Sequence, residues 1–287
     1  MKKKIKDLLF FIPLTILILI ILLSAFFILP SMFKEAPSEQ YIEYKDDVSD
    51  MLFYDADDIR QDFSSNYKLM FYLSADCGEC IKDLPILQRI NEVFCKDQNL
   101  DMYIMWEDKI PLDTVKHYNL QDNSFSLKNV SISSTYSSSF LLDASNIVIF
   151  SDNSTYENVL SVVMDLDKLD LEVMQKNAAE YIINNMTSKK SDGYLIYFSM
   201  PGCKDCEQAT PIIEESHDIT EKLELVRIER DLNSKPGDIV DKFGIFKSAF
   251  SIDWYPSFAV VQDGKINVIR QVEISDLHDI IVSKISS

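Results

Sequence analysis

The sequence is short of basic residues, and this shortage removes one class of partner at once. Its 287 residues include 28 Lys and Arg against 46 Asp and Glu, which gives a formal net charge of −18 at pH 7. A protein that binds nucleic acid needs a basic face that neutralises phosphates. We therefore expect no nucleic-acid partner, and the acidic balance is typical of a surface that keeps a globular protein soluble.

Histidine is also scarce, with three residues in the whole chain. A cysteine that acts as a nucleophile in Cys–His catalysis needs a histidine close enough to take its proton. His117 and His217 lie in charged segments, with no constellation around them that suits this chemistry. We therefore assign these histidines no catalytic role.

Scattered cysteines, which would staple a small domain, are missing too. Four of the five cysteines form two close pairs, Cys77 with Cys80 and Cys203 with Cys206. Two cysteines that are three residues apart brace almost nothing, so the pairs favour redox or metal chemistry over a structural framework. Cys95 is left over. A lone helical cysteine is most often a small buried hydrophobe, and a third redox partner is the alternative.

Charge is absent from a long stretch near the N-terminus, residues 8–29. As a helix this stretch would be about 33 Å long, enough to cross the hydrocarbon core of a membrane. It is longer than the apolar region of a cleaved signal peptide and has no good cleavage site, so a retained anchor is predicted. The rule that positive residues stay inside places the preceding lysines in the cytoplasm, Lys2, Lys3, Lys4 and Lys6. We assign residues 1–34 to a basic tip and anchor and residues 35–48 to a linker, with the remainder extracytoplasmic.

Beyond residue 48 the sequence alternates apolar runs, typical of buried strands, with helical periodicity. The plan occurs twice, which predicts one unit over residues 49–167 and a second over 168–287, with the boundary inside 165–170. Strands are predicted at 68–74, 100–106, 194–199 and 224–230. Helices are predicted at 56–65, 80–96, 112–118, 156–164, 171–186, 206–216, 238–243 and 276–285. Turn signals predict hairpins at 139–150 and 257–270.

Each half carries the same device: a strand, a turn, Cys-x-x-Cys, and a proline eight positions after the first cysteine, Pro85 or Pro211. A cysteine at the start of a helix faces unpaired N–H groups and the positive end of the helix dipole, which favours the thiolate. The thiolate attacks a disulfide, and the second cysteine resolves the mixed disulfide. The prolines are expected to kink the helices that follow.

With these motifs, each half resembles a thioredoxin-fold domain, and the chain is similar to the membrane-anchored extracytoplasmic thiol-disulfide oxidoreductases of bacteria. The resemblance implies an α/β fold with a central mixed sheet flanked by helices, repeated in tandem. It also implies a cis-proline loop facing the cysteines, which places Pro256 at the cis position and Tyr255 before it. In the first half, serines near Ser137 stand where that proline is expected.

The resemblance also brings departures. Thioredoxins carry a buried carboxylate six residues before the first cysteine, and Phe71 and Tyr197 occupy those positions here. Acidic neighbours crowd Cys77, namely Asp76 and Glu79, whereas Lys204 and Asp205 roughly cancel beside Cys203. Because a thiolate forms more easily away from negative charge, we expect the second pair to be the working one.

The predicted function is disulfide exchange on exported proteins or peptides, with a membrane redox partner as a further candidate and no cofactor or metal. Cys203 would be the nucleophile and Cys206 the resolving cysteine, with Cys77 and Cys80 as the corresponding pair. Tyr255 and Pro256 would contact the substrate. Two alternatives stay open: a zinc site, although structural zinc sites space their cysteine pairs by about 15–20 residues, and a non-catalytic scaffold with vestigial motifs.

Overall fold

In the computed structural model, the described residues are 38–40, 42–107, 109–128, 130–132, 138–152, 156–187, 191–230 and 239–285. Residues 1–34, predicted as the membrane anchor, lie outside them. No helix among the described residues is long and apolar enough to cross a membrane. Contacts divide the chain after residue 39, and the two larger sheets, of seven and five strands, belong to the compact unit that follows.

The first half is built on a seven-stranded sheet in the order β3-β2-β6-β5-β4-β8-β9. The strands of this sheet are β2 Phe53–Tyr54, β3 Arg60–Gln61, β4 Tyr67–Leu73, β5 Leu100–Trp106, β6 Ser124–Leu127, β8 Ser138–Leu142 and β9 Val148–Asp152; β1 Ser38–Gln40 and β7 Val130–Ile132 lie outside it. β4 is central, with β5 parallel on one side and β8 antiparallel on the other. Both edges of β4 are thus paired with neighbouring strands.

The second half is built on a five-stranded sheet in the order β12-β11-β10-β13-β14. Its strands are β10 Gly193–Ser199, β11 Glu224–Glu229, β12 Ile239–Val240, β13 Ser257–Gln262 and β14 Lys265–Ile269. β10 is central, with β11 parallel and β13 antiparallel. Each half therefore has a mixed sheet whose central strand leads into a cysteine motif, which is consistent with a thioredoxin-like fold.

Helices flank both sheets. They are α1 Gly78–Lys82, α2 Leu84–Ile90, α3 Leu112–His117, α4 Tyr156–Met164, α5 Leu171–Met186, α6 Lys204–Glu214, α7 His217–Thr220, α8 Ile245–Ala249 and α9 Leu277–Ile285. A π-helical turn, Asn91–Cys95, extends α2, and short 3₁₀ turns occupy Gln121–Asn123 and Ile274–Asp276. The predicted boundary at 165–170 falls between α4 and α5.

One apolar core lies between the halves and belongs to both. Because side chains alternate along a strand, β4 directs Leu69, Phe71 and Leu73 into this core and Met70 and Tyr72 to the opposite face. β10 contributes Ile196 and Phe198 to the same core, and α2, α4, α5 and α8 fill it. The opposite face of β10, with Leu195 and Tyr197, packs against α6 and α9. The helix after the first motif is therefore enclosed by the second half, whereas the helix after the second motif lies on an outer face.

Polar contacts reinforce this junction. The buried Asn177 of α5 donates a hydrogen bond to the Lys96 carbonyl at 2.7 Å. Gln98 and Asp170 exchange hydrogen bonds of 2.8 and 2.9 Å between side chain and backbone. The Arg89 guanidinium lies 5.1 Å from the ring centroid of Phe246. The two halves are therefore held together at one interface by apolar burial, by a cation–ring contact and by hydrogen bonds to backbone groups.

Two predicted helices are wrong. Residues 56–65 form turns and β3 instead, because the Asp55 carboxylate accepts the backbone N–H groups of Asp57 and Ile59 at 3.0 and 2.9 Å and closes a turn. Residues 239–240 form the edge strand β12, and the helix begins later, after Gly244. That glycine has a φ of 66°, a left-handed conformation that other residues rarely adopt.

The structure also differs from the sequence prediction in the helix after the first motif and in the predicted linker. The helix predicted at 80–96 is interrupted at Asp83, so that Pro85 lies in the first turn of α2, where a proline is tolerated. Pro211 does lie inside α6. Within the predicted linker, Ile42 and Val48 are buried and pack with the apolar cluster on the outer face of the first sheet.

Candidate active site

The second motif lies where β10 runs into α6. The turn between them passes through Gly202, whose φ of 75° suits glycine, and the Cys203 N–H donates to the Met200 carbonyl at 3.2 Å. Cys203 caps the N-terminus of α6, and its Sγ accepts the backbone N–H of Cys206 at 3.1 Å. The two cysteines form a disulfide, with Cα atoms 5.2 Å apart. The expected placement of both residues at a helix start is confirmed.

The two cysteines differ in their access to solvent. Cys203 is half-buried, while Cys206 is only 5% exposed and packs against the apolar side of β10. An incoming sulfur can therefore reach Cys203 but not Cys206.

The loop before β13 faces the disulfide. The Tyr255–Pro256 peptide bond is cis, as the resemblance implied. The Tyr255 carbonyl lies 3.7 Å from Cys203 Sγ. Burial raises the pKa of the Tyr255 hydroxyl to about 12; the nearby Arg230 opposes this shift, and Asp241 and Glu157 add to it. The phenol therefore stays neutral at neutral pH.

A cavity of about 330 Å³ opens beside the disulfide, between the start of α6 and the ends of β10 and β11. Its wall includes the buried Tyr197, which precedes Cys203 by six residues. The Tyr197 hydroxyl donates a hydrogen bond to the Cys206 carbonyl at 2.9 Å. Burial raises the pKa of Tyr197 as well. The Arg227 guanidinium lies 5.1 Å from the Tyr197 ring centroid and pairs with Glu214 at 2.9 Å.

Glu229 also lines this cavity, and sequence reasoning missed it. It is the last residue of β11, 8% exposed, and accepts a hydrogen bond from Ser199 Oγ at 3.2 Å. The local pattern carried no signal for it, because alternation along β11 buries Val226 and Ile228 and places Glu229 on the face of Arg227. Only the pairing of Ser199 with Glu229 shows that this position opens onto the cysteines.

The first motif repeats the local geometry. Cys77 caps α1, its Sγ accepts the Cys80 N–H at 3.2 Å, and the two cysteines form a disulfide with Cα atoms 5.3 Å apart. Cys80 is 4% exposed. Of the serines that stand in place of the cis-proline, Ser137 lies outside the described residues, whereas Ser138 and Ser139 begin β8.

The surroundings of the first motif differ from those of the second. Asp83 follows Cys80 by three residues, and its carboxylate accepts the Tyr156 hydroxyl at 2.7 Å. Burial raises the pKa of Asp83, although the Tyr156 hydrogen bond and the charge of Lys242 oppose the shift. Glu79 is paired with Lys82 at 2.6 Å, so one of the two acidic neighbours of Cys77 is compensated.

The structure also shows where Cys95 lies and whether the two cysteine pairs come together as one zinc site. Cys95 ends the π-helical turn, is free, and packs against the apolar core; burial raises the pKa of its thiol. Each cysteine pair closes its own disulfide, so the structure does not bring the two pairs together as one shared zinc site. Among the described residues, no group of three or more His, Cys, Asp or Glu is arranged to hold a metal ion.

No protein-family model matches this sequence, and neither does any curated protein. Solved structures similar to it include the thioredoxin domain of a thiol-disulfide oxidoreductase from Bacteroides vulgatus, at 17% identity over 39% of this chain and 92% of that one, with a TM-score of 0.31. A thiol-disulfide oxidoreductase from Bacteroides fragilis matches at 15% identity over 40% of this chain and 94% of that one, with a TM-score of 0.34. A thiol peroxidase from Chromobacterium violaceum matches at 17% identity over 42% and 82%, with a TM-score of 0.31. At these low scores, the fold assignment rests on strand order and on the placement of the two motifs.

Proposed function

We propose that this protein is a thiol-disulfide oxidoreductase and that the Cys203–Cys206 pair carries the reaction. The observation that supports this best is the asymmetry of the pair: a half-buried Cys203 caps α6, and a buried Cys206 lies one turn behind it. Such an arrangement presents one sulfur to a partner and keeps the other for resolution.

The reaction follows from this geometry. In the reduced pair, the Cys203 thiolate accepts N–H groups at the start of α6 and is stabilised by the positive end of the helix dipole. It attacks one sulfur of a client disulfide, forming a mixed disulfide and releasing the other client sulfur as a thiolate. Cys206 then attacks Cys203 Sγ, closes the Cys203–Cys206 disulfide and releases the second client thiol. The client gains two electrons and the pair loses two; the reverse sequence oxidises a client dithiol.

Client binding is proposed at the loop that faces Cys203. The Tyr255 carbonyl lies 3.7 Å from Cys203 Sγ, so a peptide whose cysteine reaches that sulfur passes alongside Tyr255 and Pro256. Two exposed apolar side chains are close in sequence to these residues. Met200 lies three residues before Cys203 and is 40% exposed, and Trp254 directly precedes Tyr255 and is 62% exposed. Backbone contacts would hold an extended peptide without demanding one particular sequence.

The location of the reaction is proposed from the N-terminal sequence. The uncharged residues 8–29 would anchor the chain, with the lysines before them in the cytoplasm and the cysteine motifs outside. In an oxidising compartment, exported proteins and peptides with cysteines are the available clients, and a membrane redox partner would restore the state of the pair.

The experiment that tests the proposed function is a trapping assay with matched variants of both motifs. Cys206→Ser should accumulate a mixed disulfide at Cys203 with a disulfide-linked peptide, detected by mass after acid quenching. Cys203→Ser should lose most of the disulfide reductase activity, while Cys77→Ser should keep much of it. If Cys206→Ser forms no mixed disulfide and Cys203→Ser retains full activity, the redox proposal is wrong and a scaffold role takes its place.

A further inference from the structure

The cavity beside the Cys203–Cys206 disulfide carries an unbalanced negative charge. Glu229 lines this cavity and is 8% exposed, and its carboxylate accepts a hydrogen bond from Ser199 Oγ at 3.2 Å. Within the described part of the chain, no lysine, arginine or histidine forms an ion pair with Glu229. Since a buried charge is costly unless it is paired, this carboxylate lacks the cation that would offset its burial.

Arg227 lines the same cavity, but its charge is already compensated. Its guanidinium donates a hydrogen bond to Glu214 at 2.9 Å and lies 5.1 Å from the Tyr197 ring centroid. Glu207, which is exposed on the first turn of α6, adds a second carboxylate to the wall. Because no basic side chain among the described residues pairs with Glu207 or Glu229, the cavity favours a cationic occupant.

The size and the lining of the cavity suit one long side chain. Its volume of about 330 Å³ is at the lower end of the range for ligand sites, roughly 300–1,000 Å³. Met200 and Pro201 give the wall an exposed apolar part, and Glu229 gives it an acceptor. Lysine and arginine have the matching composition, because an aliphatic stem that packs on apolar surface carries a cationic head.

Cys203 connects this cavity to the loop at which client binding is proposed. Its side chain lines the cavity, and its Sγ lies 3.7 Å from the Tyr255 carbonyl. A client whose cysteine reaches Cys203 therefore brings its neighbouring side chains to the mouth of the cavity. Backbone contacts at the Tyr255 loop do not select a sequence, so selection falls to a pocket that receives a side chain of the client.

We propose that this cavity is a specificity pocket for a lysine or arginine side chain near the client's reactive cysteine, and that Glu229 binds the cationic head; this inference rests on the proposed function. The head donates a charge-assisted hydrogen bond to the Glu229 carboxylate, which keeps its hydrogen bond from Ser199. The aliphatic stem packs against Met200 and Pro201. The contact makes and breaks no covalent bond, so it decides which clients react and leaves the exchange chemistry as it is.

The first half has no such carboxylate and supplies an internal reference. Counted from the first cysteine of each motif, the facing pair Ser199 and Glu229 corresponds to Leu73 and Trp106. Leu73 and Trp106 are both buried, and neither carries a charge. A basic client should therefore gain no comparable advantage at Cys77, where only the chemistry of the peptide itself affects the rate.

The test uses the full chain with Cys206→Ser, which traps mixed disulfides. The probes are pairs of synthetic disulfide-linked peptides with lysine or acetyl-lysine at one position, moved stepwise along the residues around the cysteine; acetylation removes the charge. Acid-quenched peptide mapping measures adduct formation at Cys203 and Cys77 together, in about 1 M salt, where exposed charges interact over only about 3 Å. At the best position, lysine should react at least about tenfold faster than acetyl-lysine at Cys203, as expected for a charge-assisted hydrogen bond. At Cys77 the ratio should stay below about two.

Variants assign the lysine preference to one residue. Glu229→Gln keeps an oxygen to accept the Ser199 hydrogen bond, and it should bring the preference at Cys203 down to the level at Cys77. Glu224→Gln is the matched control, the same change at the other end of β11, and it should keep the native preference. Glu207→Gln removes the exposed carboxylate of the wall and should reduce the preference less than Glu229→Gln does. It decides the assignment if Glu229→Gln does not fold.

Equal rates with lysine and acetyl-lysine at every peptide position would overturn the inference. A preference that survives in Glu229→Gln, or that disappears in Glu207→Gln, would overturn it as well. Each of these results leaves the proposed function intact, because adducts still form at Cys203. Failure of the proposed function would appear differently, as the absence of any adduct at Cys203 with any peptide.

Discussion

Arg230, just after β11, donates two hydrogen bonds to the Glu157 carboxylate at the start of α4, at 2.8 and 3.0 Å. The pair joins the two halves at the edge of their shared core, and Lys247 approaches the same carboxylate at 3.8 Å. Both partners keep about a third or more of their side chains in solvent, at 33% and 41%. Exposed pairs of this kind contribute little, so most of the junction's stability must come from the buried surface beneath it.

This difference gives the first prediction. Phe246→Ala, at a fully buried position of the shared core, should lower the free energy of unfolding by about 3–5 kcal/mol, whereas Glu157→Gln should lower it by less than about 1 kcal/mol. The measurement is urea unfolding followed by Trp106 fluorescence in a Trp254→Phe background. Because Trp106 lies in the first half and Phe246 in the second, a shift of the Trp106 midpoint shows that the halves unfold together. An unchanged Trp106 midpoint would mean that the two halves are energetically independent.

The second prediction concerns pH and Asp83. Burial raises the pKa of this carboxyl above its unfolded value of 3.8, so the folded state binds the proton more tightly than the unfolded state does. The folded state therefore loses stability as the pH rises from the pKa of Asp83 in the unfolded chain through its higher pKa in the folded protein. Asp83→Asn cannot ionise, and its stability relative to the native chain should improve over that rise. Urea unfolding at about pH 3.5 and about pH 7 measures this difference. The exposed Asp76→Asn is the control, and an equal pH response in both variants would contradict the assignment.

The third prediction concerns Cys95. Burial raises the pKa of its thiol, which keeps it protonated and unreactive. After reduction of both disulfides, iodoacetamide should label Cys95 at least about tenfold more slowly than Cys77 or Cys203 under native conditions. In urea the difference should vanish, because the burial that causes it is lost. Peptide mass mapping reads out each site, and rapid native labelling of Cys95 would restore it as a candidate third redox partner.

The fourth prediction concerns topology. A reporter that is active only after export should be active when fused to the C-terminus, and the purified chain should still begin at Met1. Both results follow from an uncharged segment at 8–29 that stays in the membrane with its lysines inside. A processed start between residues 25 and 37 would instead show a cleaved signal peptide. A reporter active only in the cytoplasm would contradict export.

The sequence predicted the central elements of the fold because their patterns are local. β4, β5, α4, α5 and β10 lie at or within one residue of their predicted positions, since long apolar runs and helical periodicity depend only on neighbours in the chain. The two short helices were predicted wrongly for two different reasons. At residues 56–65 a side-chain turn at Asp55 outcompeted helical periodicity, and at residues 239–240 pairing with β11 converted a short segment into an edge strand.

For the candidate site, the sequence by itself determined the cysteines and their positions at helix starts, because each motif is a run of adjacent residues. The resemblance to thioredoxin-fold domains supplied the expectation of a cis-proline at Pro256. Only the tertiary structure decided what surrounds them. Strand pairing brings Glu229 to the Cys206 cavity from a segment more than 20 residues away in sequence. Packing of α5 and α8 encloses the helix of the first motif and leaves that of the second on an outer face. Both outcomes depend on register and on which faces share a core, and these are settled by long-range burial rather than by local pattern.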